Sequence, residues 1–275
     1  MFVGIVGLGL IGGSLAKAYK EAGHTVYGFD TDQSIANYAQ LSGVIDAALD
    51  EQTISRCNII HIATYPDAAV DYMTAHASQF PDGCIVMDDC GTKRKVCQAG
   101  FELAAKHHYT YVGAHPMAGT KFSGFKYSRA TMFAGAPMII VPPTFDDINL
   151  YDRLKQLLEP LQLKNLVFTT ADDHDQMIAF TSQLAHVVSN AYVKSPAAQR
   201  QKGYSAGSFR DMTRVAWLNE QMWTELFLEN KDNLINEITT IIDNLTQYRD
   251  AMQADDADKL CDLLREGRIA KEQCG

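Results

Sequence analysis

Along the first 170 positions, apolar residues fall into short unbroken runs of four to six, separated by stretches where they recur every third or fourth residue. The runs at 2–6, 25–29, 58–63, 84–87, 109–112 and 137–141 have the length of strands buried on both faces. Segments 12–22 and 33–41 have helical spacing, and further helical segments lie between several of the later runs. Alternation of this kind predicts an α/β fold, an N-terminal Rossmann-type doubly wound and largely parallel sheet. Pro142-Pro143 interrupts the chain, a helix follows to about residue 159, and 165–169 reads as one last strand. After Asp172 no strand pattern returns and nearly everything is helical in period. The expected division is 1–170 for a nucleotide-binding domain and 171–275 for an all-helical domain.

Two stripes stand out in the helical half. Trp223, Phe227, Asn230, Leu234, Ile238, Ile241, Leu245, Tyr248 and Met252 are spaced mainly by alternating threes and fours, which predicts one long helix with an apolar seam. Such a seam serves a dimer contact or a bundle within the chain. In "HDQMIAFTSQLAHVVSN", Asp175, Ser182, His186 and Ser189 fall at i, i+7, i+11 and i+14 on an otherwise apolar helix. Aligned polar groups are costly in a dry core, so this stripe is expected to line a wet pocket or to bond across an interface.

Charge and composition narrow the possibilities. A net charge of −9 argues against a nucleic-acid surface, which needs concentrated Lys and Arg, but leaves room for a small anionic substrate held by a few arginines. No run approaches a membrane span, and the glycine-rich start at 1–15 lacks the basic flank and cleavage pattern of a signal segment. Six cysteines show neither a CxxC pair nor zinc-ligand spacing, so reduced thiols in a cytoplasmic protein and no metal are expected.

The first run leads into Gly7-x-Gly9-x-x-Gly12, followed by a helix and by a second run ending near Asp30. In this setting Gly7 permits a tight turn, Gly9 lets backbone approach a pyrophosphate, and Gly12 allows close packing. Gly7, Gly9, Leu10, Ile11 and Gly12 are therefore the expected cofactor loop, with the helix N-terminus facing the phosphates. Asp30 is placed to accept from the adenosine ribose hydroxyls and would repel a 2′-phosphate, which points to NAD; Asp32 competes for this role. Thr64, after the run "NIIHIA", lies where loops at strand carboxyl ends meet the cofactor. His61, inside that run, is read as a core histidine.

"YVGAHPMAGT" places His115 at a strand end, fixed by Pro116, which disfavours helix at the residue before it. Together with "GLGLIGGSLA", "TADDHDQMIAFTSQLAH" and "GSFRDMTRVA…MW…LFLENK", it makes the chain resemble the prephenate and arogenate dehydrogenase family over nearly its whole length. The resemblance implies NAD-dependent oxidative decarboxylation of prephenate to 4-hydroxyphenylpyruvate in tyrosine biosynthesis, with arogenate to tyrosine as the alternative. It also implies a homodimer joined through the helical domain. His115 is expected to accept the proton of the substrate's ring hydroxyl as hydride leaves, a task suited to an imidazole.

The resemblance further points to Arg214 as the carboxylate binder, to His186 facing substrate and to His174 near the interdomain cleft. Arg210 is read as a solvated charge, and Trp223 as a pocket or core residue. Two departures from the family pattern appear. "DDCGTKR" puts Gly91 where the family often has a serine orienting the histidine, and a one-residue shift would bring Thr92 to that task. "SQLAH" replaces "SHLPH", so Gln183 stands for one histidine while His186 is kept. Two rivals remain: a 3-hydroxyacid dehydrogenase, which uses a lysine where this chain has His186 and Asn190, and a non-catalytic NAD-binding sensor.

Overall fold

A computed structural model describes residues 1–120 and 122–274; position 275, the expected end of the helical domain, lies outside the described residues. In chain order the elements are β1 (Phe2–Val6), α1 (Leu10–Glu21), β2 (Thr25–Phe29), α2 (Gln33–Leu41), β3 (Ala47–Ala48), α3 (Glu51–Ile54), β4 (Ile59–Ile62), α4 (Pro66–His76), β5 (Ile85–Asp88), α5 (Arg94–His107), β6 (Thr110–Pro116), β7 (Pro137–Val141), α6 (Ile148–Leu157) and β8 (Asn165–Phe168). From Ala171 onward every regular element is helical: α7 (Ala171–Ile178), a π-helical segment (Ala179–Leu184), α8 (Ala185–Val193), α9 (Gly207–Thr213), α10 (Glu220–Glu229), α11 (Lys231–Gln253) and α12 (Ala257–Gln273).

The eight strands form one sheet in the order β3-β2-β1-β4-β5-β6-β7-β8. Neighbours run parallel except β6 and β7, which are antiparallel. Alternate side chains enter opposite layers. Val3, Ile5, Met87 and Val112 pack on the side of α1, while Val6, Ile60, Val86 and Tyr111 pack on the other. Burial on both faces is what unbroken apolar runs encode.

Chain order reverses between β1 and β4, and the crevice beyond their carboxyl ends is where such sheets take ligands. Gly7 follows β1 there with φ of +82°; a Cβ on it would lie 2.7 Å from the Ala63 carbonyl oxygen and 2.8 Å from Thr64 Cγ2. Gly12 is more tightly constrained, since its Cβ would fall 1.8 Å from the Gly7 oxygen. These two contacts lock α1 onto the β1 turn.

The structure changes several expectations of the pattern. α1 begins at Leu10, two residues early, and β6 continues through His115 to Pro116. β3 is two residues long, too short to leave a hydrophobic signature. The single long helix expected over 223–252 is two helices, α10 and α11, parted at Asn230. The cause is non-local: Asn230 is fully buried, and its amide nitrogen donates to the Asp175 carbonyl (2.7 Å) and to Gln183 Oε1 (2.9 Å).

The α11 seam is also divided. Of its residues Leu234 is buried and Tyr248 donates to the Leu263 carbonyl of α12, while Leu245 and Met252 stay exposed, and with Ile235 and Ile242, outside the expected stripe, they form an exposed apolar row at near-heptad spacing. Among the described residues no helix is long and apolar enough to cross a membrane.

Candidate active site

The nucleotide end has the form a dinucleotide needs. A Cβ on Gly9 would meet nothing within 4 Å, so backbone there is open to close approach. α1 starts at Leu10 without a side-chain cap, leaving its first amides, including those of Leu10 and Ile11, available to an anion. Asp30 closes β2, and its carboxylate accepts from the Leu8 amide (2.7 Å) and the Asp32 amide (2.8 Å). These bonds fix Asp30 beside the glycine turn. Asp32 is occupied as the N-cap of α2, accepting from the Ser34 amide at 2.9 Å. Thr64 is half-buried at the β4 end, against Gly7. These residues fit an NAD pyrophosphate and ribose.

His115 lies on β6 opposite Ile139 of β7. Its Nδ1 is 2.9 Å from His174 Nε2, and His174 Nδ1 is 2.7 Å from Asp175 Oδ1. Protonation states follow from the far end of this chain. Asp175 accepts from the Lys93 amide (2.7 Å), the Arg94 amide (2.9 Å) and Arg94 Nε (3.4 Å). Burial alone would raise its carboxyl, but the His174 bond and these donors bring it below the usual carboxylate range. An ionised Asp175 accepts a hydrogen bond from His174 Nδ1–H, which leaves Nε2 of the neutral His174 ring bare. His115 therefore donates from Nδ1, and its Nε2 is an unprotonated acceptor. Burial, then His174 and the Lys93 ammonium, push the His115 imidazole well below its ordinary value, so it stays neutral near pH 7. Burial likewise lowers His174, against the pull of Asp175.

Beneath this chain lies a second buried network. Lys93 pairs with Asp88, which also accepts from the Tyr111 hydroxyl (2.5 Å) and the Cys90 amide (3.0 Å). Burial favours the neutral amine of Lys93, yet Asp88 outweighs it and the net shift is upward. His61 is the expected core histidine, held between Asp89 (3.0 Å) and the Tyr19 hydroxyl (3.0 Å).

The Thr92 expectation needs correction. Its hydroxyl donates to Glu229 Oε2 of α10 at 2.6 Å, not to His115. A Cβ on Gly91 would point to Leu226, 3.3 Å from Cδ2. The partner of His115 Nδ1 is His174, a cross-domain pairing that spacing along the chain does not reveal.

A separate cavity of about 370 Å³ is lined by Ser182, His186, Ser189, Asp211 and Arg214, among others. His186 donates from Nδ1 to the Ser182 carbonyl at 2.8 Å and stacks on Trp223 with ring centroids 3.9 Å apart. Burial, and secondarily the Arg214 charge, lower its pKa, while the Ser182 bond opposes them. Arg214 is the first residue of a 3₁₀ turn after α9, which ends at Thr213, so Arg210 and Arg214 do not share one helix and Arg210 does not line the cavity. Among the described residues Arg214 has no ion pair.

The polar stripe expected on one face splits in two. Asp175 turns to the sheet domain while Ser182, His186 and Ser189 face the cavity. The π-helical segment that follows α7 and contains Ser182 shifts the phase of the helix, a device common at functional sites. His115 and His174 lie outside the cavity lining.

Comparison with known proteins agrees with this layout. The family described as "Prephenate dehydrogenase, nucleotide-binding domain" matches residues 15–167, and "Prephenate dehydrogenase, dimerization domain" matches residues 170–266. The prephenate dehydrogenase of Bacillus subtilis is 29% identical over 93% of this chain and 71% of its own length. Synechocystis arogenate dehydrogenase is 26% identical, superposes with a TM-score of 0.82, and each chain is covered in full. A prephenate dehydrogenase from A. aeolicus, solved with hydroxyphenyl propionate and NAD+, shares the fold with a TM-score of 0.84 at 24% identity, over 100% of this chain and 98% of that one.

Proposed function

The chain belongs to the prephenate dehydrogenase family, and from that premise we propose that it is an NAD-dependent prephenate dehydrogenase with His115 as its proton acceptor. The observation that carries the reading is the His115–His174–Asp175 chain, which leaves a neutral imidazole with a bare Nε2. NAD, when bound at the Gly7–Gly12 turn and Asp30, supplies the hydride acceptor. Gly7, Gly9, Leu10, Ile11, Gly12 and Thr64 give it a backbone cradle, and Asp30 offers a carboxylate to its ribose.

His115 Nε2 takes the proton of the ring hydroxyl as the carbon bearing it becomes a carbonyl carbon, and His174 Nε2 fixes the His115 ring by accepting from its Nδ1–H. The ring carboxylate then departs as carbon dioxide and the product is aromatic. Arg214 binds a substrate carboxylate. Guanidinium suits this role because its planar fork pairs both carboxylate oxygens. His186, neutral and with its Nδ1–H spent on the Ser182 carbonyl, presents a bare Nε2 to the cavity, where it accepts from a donor group of the substrate rather than binding the anion. Two chains joined through the helical domain would cover the exposed Ile235, Ile242, Leu245 and Met252. The enzyme is assigned to the cytoplasm, in keeping with its six unpaired cysteines.

One observation favours a second substrate. Asp211 lines the same cavity as Arg214 and offers a carboxylate that an ammonium group would pair with, as arogenate provides and prephenate does not. The test is incubation of purified protein with NAD and prephenate, arogenate or 3-hydroxyisobutyrate, followed at the NADH absorbance band. Turnover with prephenate is expected. Turnover with arogenate alone would replace the first reading by the second, and turnover with neither would overturn both.

A further inference from the structure

Ser189 is the one residue of the polar stripe whose side-chain oxygen is buried without a hydrogen bond among the described residues. It lies on α8, one turn beyond His186, is 2% exposed, and lines the cavity that holds Arg214 and His186. Its hydroxyl oxygen is fully buried and has no hydrogen-bond partner among the described residues, not even the carbonyl one turn back that a helical serine ordinarily takes. A buried hydroxyl left unpaired is destabilising, and alanine would serve the helix better. Its position therefore makes sense through what enters the cavity. Arg214 brings positive charge to the same wall, and the Nδ1 proton of His186 is already committed to Ser182.

We infer that Ser189 is a substrate-binding residue whose Oγ–H donates to the substrate carboxylate held by Arg214. This rests on the proposed reaction for the identity of the anion, but the geometry requires only a carboxylate. Ser189 stands further along the α7–α8 run from His174, and hence from His115, than His186 does. It serves the end of the substrate remote from the reacting carbon. An interaction there is made equally in the ground state and the transition state, so its loss weakens binding and leaves turnover nearly unchanged.

The experiment compares wild type and Ser189→Ala in three measurements. The first is titration with 3-(4-hydroxyphenyl)propionate, a carboxylate remote from a phenolic hydroxyl, in the presence of NAD. The second is the KM and kcat for prephenate, and the third is the thermal midpoint of the unliganded protein. Expected are a dissociation constant and a KM raised about tenfold or more, the worth of a hydrogen bond to a charged group, with kcat within about twofold and the midpoint unchanged or higher. Unchanged propionate affinity would overturn the inference. So would weaker affinity accompanied by a lower midpoint, because the hydroxyl would then be structural. The titration does not depend on catalysis, so a wild type that binds the propionate but fails to oxidise prephenate refutes the reaction without touching Ser189.

Discussion

His115 sits among groups already committed to one another, whereas Arg214 stands on a short turn with its charge uncommitted. Around the imidazole, Asp175, Lys93, Arg94, Asp88 and Tyr111 satisfy each other across two domains, and most are buried. Arg214 itself is exposed at the start of a partly buried 3₁₀ turn and has no ion pair among the described residues. The difference suits the two proposed tasks. Proton transfer needs one tautomer aimed along one line, and a closed network enforces that. Anion capture needs a charge with no internal rival, since a carboxylate partner would have to be displaced before substrate could bind.

Disabling the rigid end should have the largest effect. His115→Asn keeps a polar group on β6 but removes the base, and turnover should fall about 10²–10⁴-fold, the usual worth of general base catalysis. NAD affinity, read by fluorescence titration, should stay near wild type; a parallel loss would mean that the residue shapes the fold instead.

At the open end, Arg214→Ala should raise KM about 10- to 100-fold, as expected for a lost charge-assisted bond, with a smaller change in kcat. An unchanged KM in steady-state assays would remove Arg214 from the clamp.

A smaller effect concerns pH. Because His115 acts as the neutral base and its folded pKa is depressed, kcat/KM should hold from pH 7 down and decline only below the ordinary histidine value of about 6.5. His174→Gln retains an acceptor for Nδ1–H but removes a neighbour that lowers the imidazole, so the acid limb should move upward, toward 6.5. Linkage gives the matching stability effect. Unfolded chain takes up protons at His115 and His174 before the folded chain does, so stability should drop as pH falls below about 6.5.

The smallest change expected is for Gly91→Ser. The new Cβ would meet only the flexible end of Leu226 at 3.3 Å, and His115 Nδ1 is already bonded to His174. Activity should remain within about threefold of wild type, below the range that marks loss of a catalytic group. A large gain would show that the serine of related chains does what His174 does not.

What the chain revealed in advance was mostly local. Apolar runs located seven of the eight strands, and the glycines marked the turn, because strand burial and turn conformation depend on near neighbours in sequence. What escaped depends on distant pairs. Nothing near Thr92 foretells Glu229 as its acceptor, 137 residues away. Nothing near Asn230 foretells that its amide will end one helix and begin another by bonding to Asp175 and Gln183. The stripe on α7 and α8 was visible, but its division was not, since one π-helical segment re-aims everything that follows it. For the same reason the family resemblance brings His174 near the cleft but does not reveal its bond to His115.

Asp175 has one further consequence. It belongs to the helical half, yet two backbone amides and a guanidinium of the other half end on it. Any wide swing of one half away from the other would strip a dry carboxylate of its donors, at a cost of about 3–5 kcal/mol. Under the proposed reaction, traffic to and from the His115 imidazole would then pass by way of small movements at the rim, with the two halves held together at Asp175.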